Sequence, residues 1–159
     1  MHSAIPIIGT NNSGLCKPEE RRKNMTKVLI VDDEIYFATN IANLLRANNE
    51  GMDALAVYSA EEALKQLEKA QYDIVVTDIR MPKINGFEFI KLLKQKWPNV
   101  SVIVMTAYGA KEVMENAFSL GTLFYIEKPF RVEKLEALLA IVSKKIEKKA
   151  SDNKLANAN

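Results

Sequence analysis

The sequence predicts an α/β fold, a parallel sheet covered by helices on both faces. Three observations carry that prediction. Five short β-rich runs (27–31, 54–58, 73–77, 101–105 and 123–126) alternate with five stretches of helical period. Several of the runs are apolar and stop on a polar or charged side chain, as strands buried on both faces do. Turn and cap residues stand at the joints between the two kinds of segment.

The elements follow in order. Val28, Leu29, Ile30 and Val31 form the first run, which ends in Asp32-Asp33. Phe37, Ile41, Leu44 and Leu45 recur at helical spacing, and Asn49-Glu50-Gly51 ends that helix. After the second run, Ser59 can cap a helix carrying Ala63, Leu64 and Leu67. Ile74, Val75 and Val76 lead to Thr77-Asp78 and a loop from Pro82 to Gly86. Phe89, Ile90, Leu92 and Leu93 make the third helical pattern, stopped by Pro98-Asn99. The fourth run, 101–105, ends in Thr106, and Val113, Met114, Ala117 and Phe118 precede a stop at Leu120-Gly121. The last run, 123–126, is followed by Lys128-Pro129. A final helix from Val132 to about Lys149 carries Leu135, Leu138, Leu139, Val142 and Ile146.

A chain of 159 residues with 48% apolar content is expected to build one domain with tails. Residues 1–24, rich in Asn, Ser, Gly, Pro and charge, read as a flexible leader; residues 25–149 form the domain, and 150–159 read as a flexible tail or the start of a linker. A net charge of +2 implies neither a nucleic-acid surface nor a membrane surface. The single cysteine, Cys16, cannot form an internal disulfide, and no apolar run approaches a membrane span, so a cytoplasmic location is expected. The single histidine, His2, leaves no His triad, His-ligated zinc or internal phosphohistidine to the core. Any phosphohistidine in the chemistry must come from a partner.

Parallel strands present their last residues at one sheet edge, where open α/β sheets bind ligands. Asp32, Asp33, Asp78, Thr106 and Lys128 all stand at such ends. Carboxylates packed together repel unless a cation neutralises them, so the three acids predict a hard divalent ion. Oxygen-only ligation favours Mg²⁺. Thr106 and Lys128 supply a hydroxyl and an ammonium for the oxygens of a phosphoryl group, which leaves a carboxylate as the nucleophile.

Residues 27 to about 147 resemble the receiver domain of two-component response regulators. The resemblance rests on Val31-Asp32-Asp33-Glu34, on Thr77-Asp78-Ile79-Arg80-Met81-Pro82 with Gly86, on Met105-Thr106-Ala107-Tyr108-Gly109, and on Gly121 through Tyr125 to Lys128-Pro129-Phe130. It implies a flavodoxin-like doubly wound sheet of five parallel strands in the order 2-1-3-4-5 with five helices. It implies Asp78 as phosphoacceptor, receiving its phosphoryl group from a sensor histidine kinase or histidine phosphotransfer protein. Asp33 and Asp78 match the direct Mg²⁺ carboxylates, Asp32 the acid acting through water, and the Arg80 carbonyl the main-chain ligand. Thr106 and Lys128 match the residues that contact the phosphoryl group, with Ile79 and Ala107 as adjoining cofactor-binding positions, and Thr106 and Tyr125 match the switch pair.

The resemblance further implies a switch that controls a downstream effector, with no enzymatic turnover beyond its own phosphorylation and dephosphorylation. Ile84-Asn85 and Thr122 depart from the usual pattern, at loop or packing positions. Large residues at 80 and 108, Arg80 and Tyr108, predict slow loss of the phosphoryl group. Ile35 and Tyr36 are candidates for docking a partner helix. The last helix is a candidate surface for a homodimer formed on phosphorylation. Two other classes compete: a Mg-dependent aspartate-nucleophile phosphohydrolase, which wants an acid where Arg80 stands, and a receiver-like scaffold that is never phosphorylated.

Overall fold

The computed structural model describes residues 25–107, 109 and 111–156. The leader 1–24 with His2 and Cys16, as well as Tyr108, lies outside the described residues.

Strands β1 (Thr26–Val31), β2 (Met52–Val57), β3 (Ile74–Asp78), β4 (Ser101–Thr106) and β5 (Phe124–Glu127) alternate with α1 (Ile35–Asn48), α2 (Ala60–Lys69), α3 (Gly86–Lys96), α4 (Lys111–Ser119) and α5 (Val132–Ala156). All four strand pairings are parallel, in the order β2-β1-β3-β4-β5. This is the doubly wound order expected from the sequence.

Alternation along each strand builds two cores. Val28, Ile30, Ile74, Val76, Ile103 and Met105 point to one face, where α1 and α5 cover them with Ile41, Leu45, Leu135 and Leu139. Leu29, Val31, Val75, Val102 and Val104 point to the other, under Leu67, Phe89, Ile90, Leu93 and Ala117 of α2, α3 and α4. Because both faces are covered, the central strands carry apolar residues at consecutive positions instead of alternating with polar ones. Each fully buried aliphatic side chain contributes roughly 1.5–3 kcal/mol from removal of its surface from water.

Local chemistry sets the ends. Ser59 Oγ accepts from Glu62 N at 3.1 Å and caps α2. Asn85 caps α3 in a reciprocal box, accepting from Glu88 N at 3.1 Å while Asn85 N donates to Glu88 Oε2 at 3.3 Å. Gly121, at φ +81°, turns the chain out of α4 into β5.

Three details differ from the sequence reading. β2 starts at Met52, because Thr26 opposite it already pairs; propensity alone places the start near Ala54. Leu44, Leu92 and Phe118, which share the helical spacing of core residues, are 42%, 41% and 47% exposed at the margins of their apolar arcs. The last helix runs to Ala156, past Lys149 into the stretch expected to be a tail. Its buried residues are Leu135, Leu139 and Val142. Ile146 packs part-buried against the same core, and beyond it the helix persists because it satisfies its own backbone hydrogen bonds and Lys, Glu and Ala favour that state.

Candidate functional site

The strands are all parallel, so the carboxyl ends of β1, β3, β4 and β5 meet at one edge of the sheet. Asp32 and Asp33 follow β1, Asp78 is the last residue of β3, Thr106 is the last of β4, and Lys128 follows β5. Register aligns them: Val31 pairs Thr77, Asp78 pairs Met105, and Thr106 pairs Glu127. Asp32 and Thr106 are fully buried, Asp78 is 6% exposed, and Asp33 faces solvent.

Lys128 ties the acids together. Its ammonium donates to Asp32 Oδ2 at 2.5 Å, to Glu34 Oε1 at 3.1 Å and to Asp78 Oδ2 at 3.4 Å. It also lies 4.3 Å from the centroid of the Phe37 ring, whose own orientation is fixed by an edge-on contact with Phe130 at 5.8 Å. The backbone of Lys128 is anchored separately, donating to Thr106 O at 2.9 Å.

Asp78 is held from the other side. Its Oδ1 accepts from Ile79 N at 2.6 Å and from Arg80 N at 3.2 Å, so the amides that start the following loop fix the carboxylate plane. Oδ2 is the oxygen turned toward Lys128. Asp32 Oδ1 accepts from Glu34 N at 3.0 Å, which orients that acid by the same device.

Burial governs the electrostatics. Desolvation pushes the Asp32 carboxyl up from its ordinary value, and the bonds from Lys128 and Glu34 N offset only part of this. Burial also acts against the Lys128 ammonium, but Asp32, Asp78 and Glu34 outweigh it and hold its pKa above the usual lysine value. Lys128 is therefore charged, and its single positive charge is shared by the three acids it contacts, Asp32, Glu34 and Asp78. One ligand oxygen each from Asp32, Asp33 and Asp78 lie within 4.8 Å of one another, two buried and one exposed. An all-oxygen set of this spacing, excess in negative charge and open on the Asp33 side, fits a hard divalent cation that keeps part of its water shell.

The other expected residues fall around this centre. Arg80 is exposed and reaches Asp78 through its backbone N–H. Ile79 is buried under the loop, and Ala107 is exposed just past β4. Tyr125 sits half-buried on β5 beside Val104, on the face covered by α2, α3 and α4. Its hydroxyl is pushed up by burial and then by the Glu127 charge. Ile35 and Tyr36, 53% and 87% exposed, open α1 directly after the acidic turn. Glu34 and Phe37 are contacts of Lys128 that the sequence reading gave no role. Phe37 carries no distinguishing signal, since its spacing to Ile41 is that of any core residue; the signal for Glu34 was its place in an unbroken acidic triplet.

Residues 28–140 match the model of the response regulator receiver domain. The chain belongs to this family, whose function is phosphorylation-dependent switching in two-component signalling. Among curated proteins it is 30% identical over 121 residues to the transcriptional regulatory protein CiaR of Streptococcus pneumoniae, covering 76% of this chain and 53% of that one. It is 40% identical over 111 residues to the heme response regulator HssR of Staphylococcus aureus, covering 70% and 48%. The chain thus spans about half the length of these relatives. Among solved structures, the receiver domain of the Francisella response regulator 1452 superposes with a TM-score of 0.71 at 29% identity, covering 76% of this chain and 98% of that one. Chemotaxis protein CheY4 of Vibrio cholerae gives 0.70 at 28% identity, covering 74% and 98%.

Proposed function

We propose that Asp78 is the phosphoacceptor of this receiver and that Oδ2 is the attacking oxygen. The observation that carries the proposal is the Lys128 ammonium placed between Asp32 and Asp78, 3.4 Å from Asp78 Oδ2. Oδ1 already accepts from two amides, and Oδ2 is the oxygen that faces the Lys128 ammonium. In transfer from a phosphohistidine, the bond from Oδ2 to phosphorus forms as the phosphorus–nitrogen bond breaks, and the electron pair leaves with the imidazole.

Asp32, Asp33 and Asp78, with the Arg80 carbonyl, are the residues that would hold Mg²⁺, which when bound supplies positive charge to the phosphoryl oxygens. Lys128 would exchange an acid for a phosphoryl oxygen, and Thr106 with the adjoining Ala107 and Ile79 would line the pocket that receives it. Once formed, the acyl phosphate favours whichever conformation gives it better contacts with Lys128 and Thr106, and Tyr125 on the neighbouring strand is the residue we assign to follow. Arg80, exposed two residues after Asp78, supports slow self-dephosphorylation.

The kinase or phosphotransfer protein would dock beside the site on Ile35 and Tyr36, exposed apolar surface at the start of α1. The longer relatives, CiaR among them, support a reading in which the switched state passes to a downstream effector protein or domain. Intact-mass measurement after exposure to acetyl phosphate and Mg²⁺ tests the central assignment. One phosphoryl group should be gained, labile to base, and none by Asp78→Asn. Equal gain by that variant would move the acceptor elsewhere.

A further inference from the structure

We propose that a second cleft, at the opposite end of the sheet, binds a small amphipathic anion with a flat apolar body and a single acidic head group. The cleft has a volume of about 610 Å³ and lies where α2 and α3 end and β4 begins. That volume is in the range of sites for drug-sized ligands. Its apolar lining comes from Leu67, Tyr72, Trp97, Val100 and Ile146. One wall is α5 beyond Val142, its last fully buried residue, so the extension of this helix is what turns a shallow edge into a concavity.

The charge of the lining is one-sided. Its cations are Lys96, Lys145 and Lys149, and its one acid is Asp73. Asp73 Oδ2 already accepts from Lys27 N at 2.8 Å. Lys96 is paired with Glu68 at 3.1 Å and stands 5.4 Å from the Trp97 ring centroid. Lys145 and Lys149 form no ion pair among the described residues. They are one helical turn apart, and like charges at that spacing repel and destabilise a helix. An anion seated over the apolar floor would remove that repulsion and meet two ammonium groups at the rim. A concave floor with one tryptophan suits a compact ligand, not a long polyanion. Since the strands run away from this end toward Asp78, the inference does not rest on the phosphoacceptor assignment.

Trp97 is the only tryptophan of the chain and lies in the lining, so its fluorescence gives one signal that the lysine variants then tie to this cleft. The full chain would be titrated with anilinonaphthalene sulfonate and, separately, with uncharged phenylnaphthylamine. The proposal expects saturable one-to-one quenching of Trp97 by the sulfonate, at least roughly tenfold weaker in Lys145→Glu/Lys149→Glu. Lys144→Glu/Lys148→Glu, on the same helix but outside the lining, should leave binding unchanged. Equal loss in both double variants, or competition by a short DNA duplex, would overturn it in favour of a diffuse basic surface. Equal binding of the uncharged arene, or quenching that does not saturate, would overturn it as an adventitious apolar contact.

Discussion

A β-carbon on Gly86 would stand 2.3 Å from the main-chain oxygen of Asp78 and 2.5 Å from Ile79 Cα. The first turn of α3 is thus pressed against the backbone that carries Asp78, the proposed phosphoacceptor, and Gly86 N closes the loop by donating to Ile79 O at 2.8 Å. Neither neighbour is a side chain that can swing aside. Gly86→Ala should cost about 2–3 kcal/mol in urea denaturation and lower acetyl phosphate labelling in whatever fraction stays folded. Gly109 is the internal control, because the atom its β-carbon would meet at 2.5 Å belongs to the flexible Glu127 side chain. Gly109→Ala should cost less than about 1 kcal/mol; comparable losses at the two sites would mean that the approach at Gly86 is not the constraint.

Phe37 should act on the reaction through Lys128. With the ammonium 4.3 Å from its centroid and Phe130 fixing its tilt, the ring limits where Lys128 can sit among three competing carboxylates. Phe37→Leu keeps an apolar side chain but removes the ring face, worth about 1 kcal/mol at a partly desolvated site. The rate of labelling by acetyl phosphate should fall roughly fivefold, by conversion of that energy. Phe37→Tyr should retain the rate. A similar fall in both variants would point to general repacking under the site.

What was legible in the sequence, and what was not, follows from how local each signal is. The strand ends were readable because parallel strands stop where their apolar runs stop, and Asp78, Thr106 and Lys128 each sit at such a stop. The caps at Ser59 and Asn85 are governed by residues three apart, although the Asn85 box stands inside what reads as a loop from Pro82 to Gly86. The role of Phe37 was hidden because a core phenylalanine and one beneath an ammonium have the same spacing. The extension of α5 past Lys149 carries no apolar pattern to mark it, because exposed residues beyond Ile146 keep the helix through their backbone bonds alone. The close approach at Gly86 is a contact with residues seven and eight positions back, through a loop whose path no periodicity encodes.

Stability above pH 10 should respond to Tyr72. Burial, followed by the Asp53 charge, raises its hydroxyl above the ordinary value of 10.0, so the folded state holds this proton more tightly than the unfolded one. The associated stability is complete below pH 10.0 and is lost as pH rises through the folded-state pKa. Lys94 acts in the opposite sense just below 10.5, because burial lowers its pKa and the unfolded chain then binds more protons. The informative quantity is therefore the difference between wild type and Tyr72→Phe. Chemical denaturation at pH 9 to 11 should show a shallower loss in the variant; parallel curves would mean that Tyr72 titrates as a free phenol.

Without a divalent cation the acidic edge should cost the protein stability. Asp32, Asp33 and Asp78 crowd within 4.8 Å, Glu34 adds a fourth negative charge, and Lys128 answers only one of them. Removing the exposed member relieves repulsion without leaving a buried group unpaired. Asp33→Asn should therefore raise stability by about 1 kcal/mol in EDTA. Mg²⁺ bound to the folded state alone should stabilise wild type by about 2.7 kcal/mol at a hundred times its dissociation constant, and the variant by far less. Lys128→Ala, which strips the ammonium from two buried carboxylates, should go the other way in EDTA and recover part of its loss in Mg²⁺. Thermal unfolding of the three proteins in both buffers decides it. A destabilised Asp33→Asn that still responds fully to Mg²⁺ would show that the cation is held by a different set of oxygens.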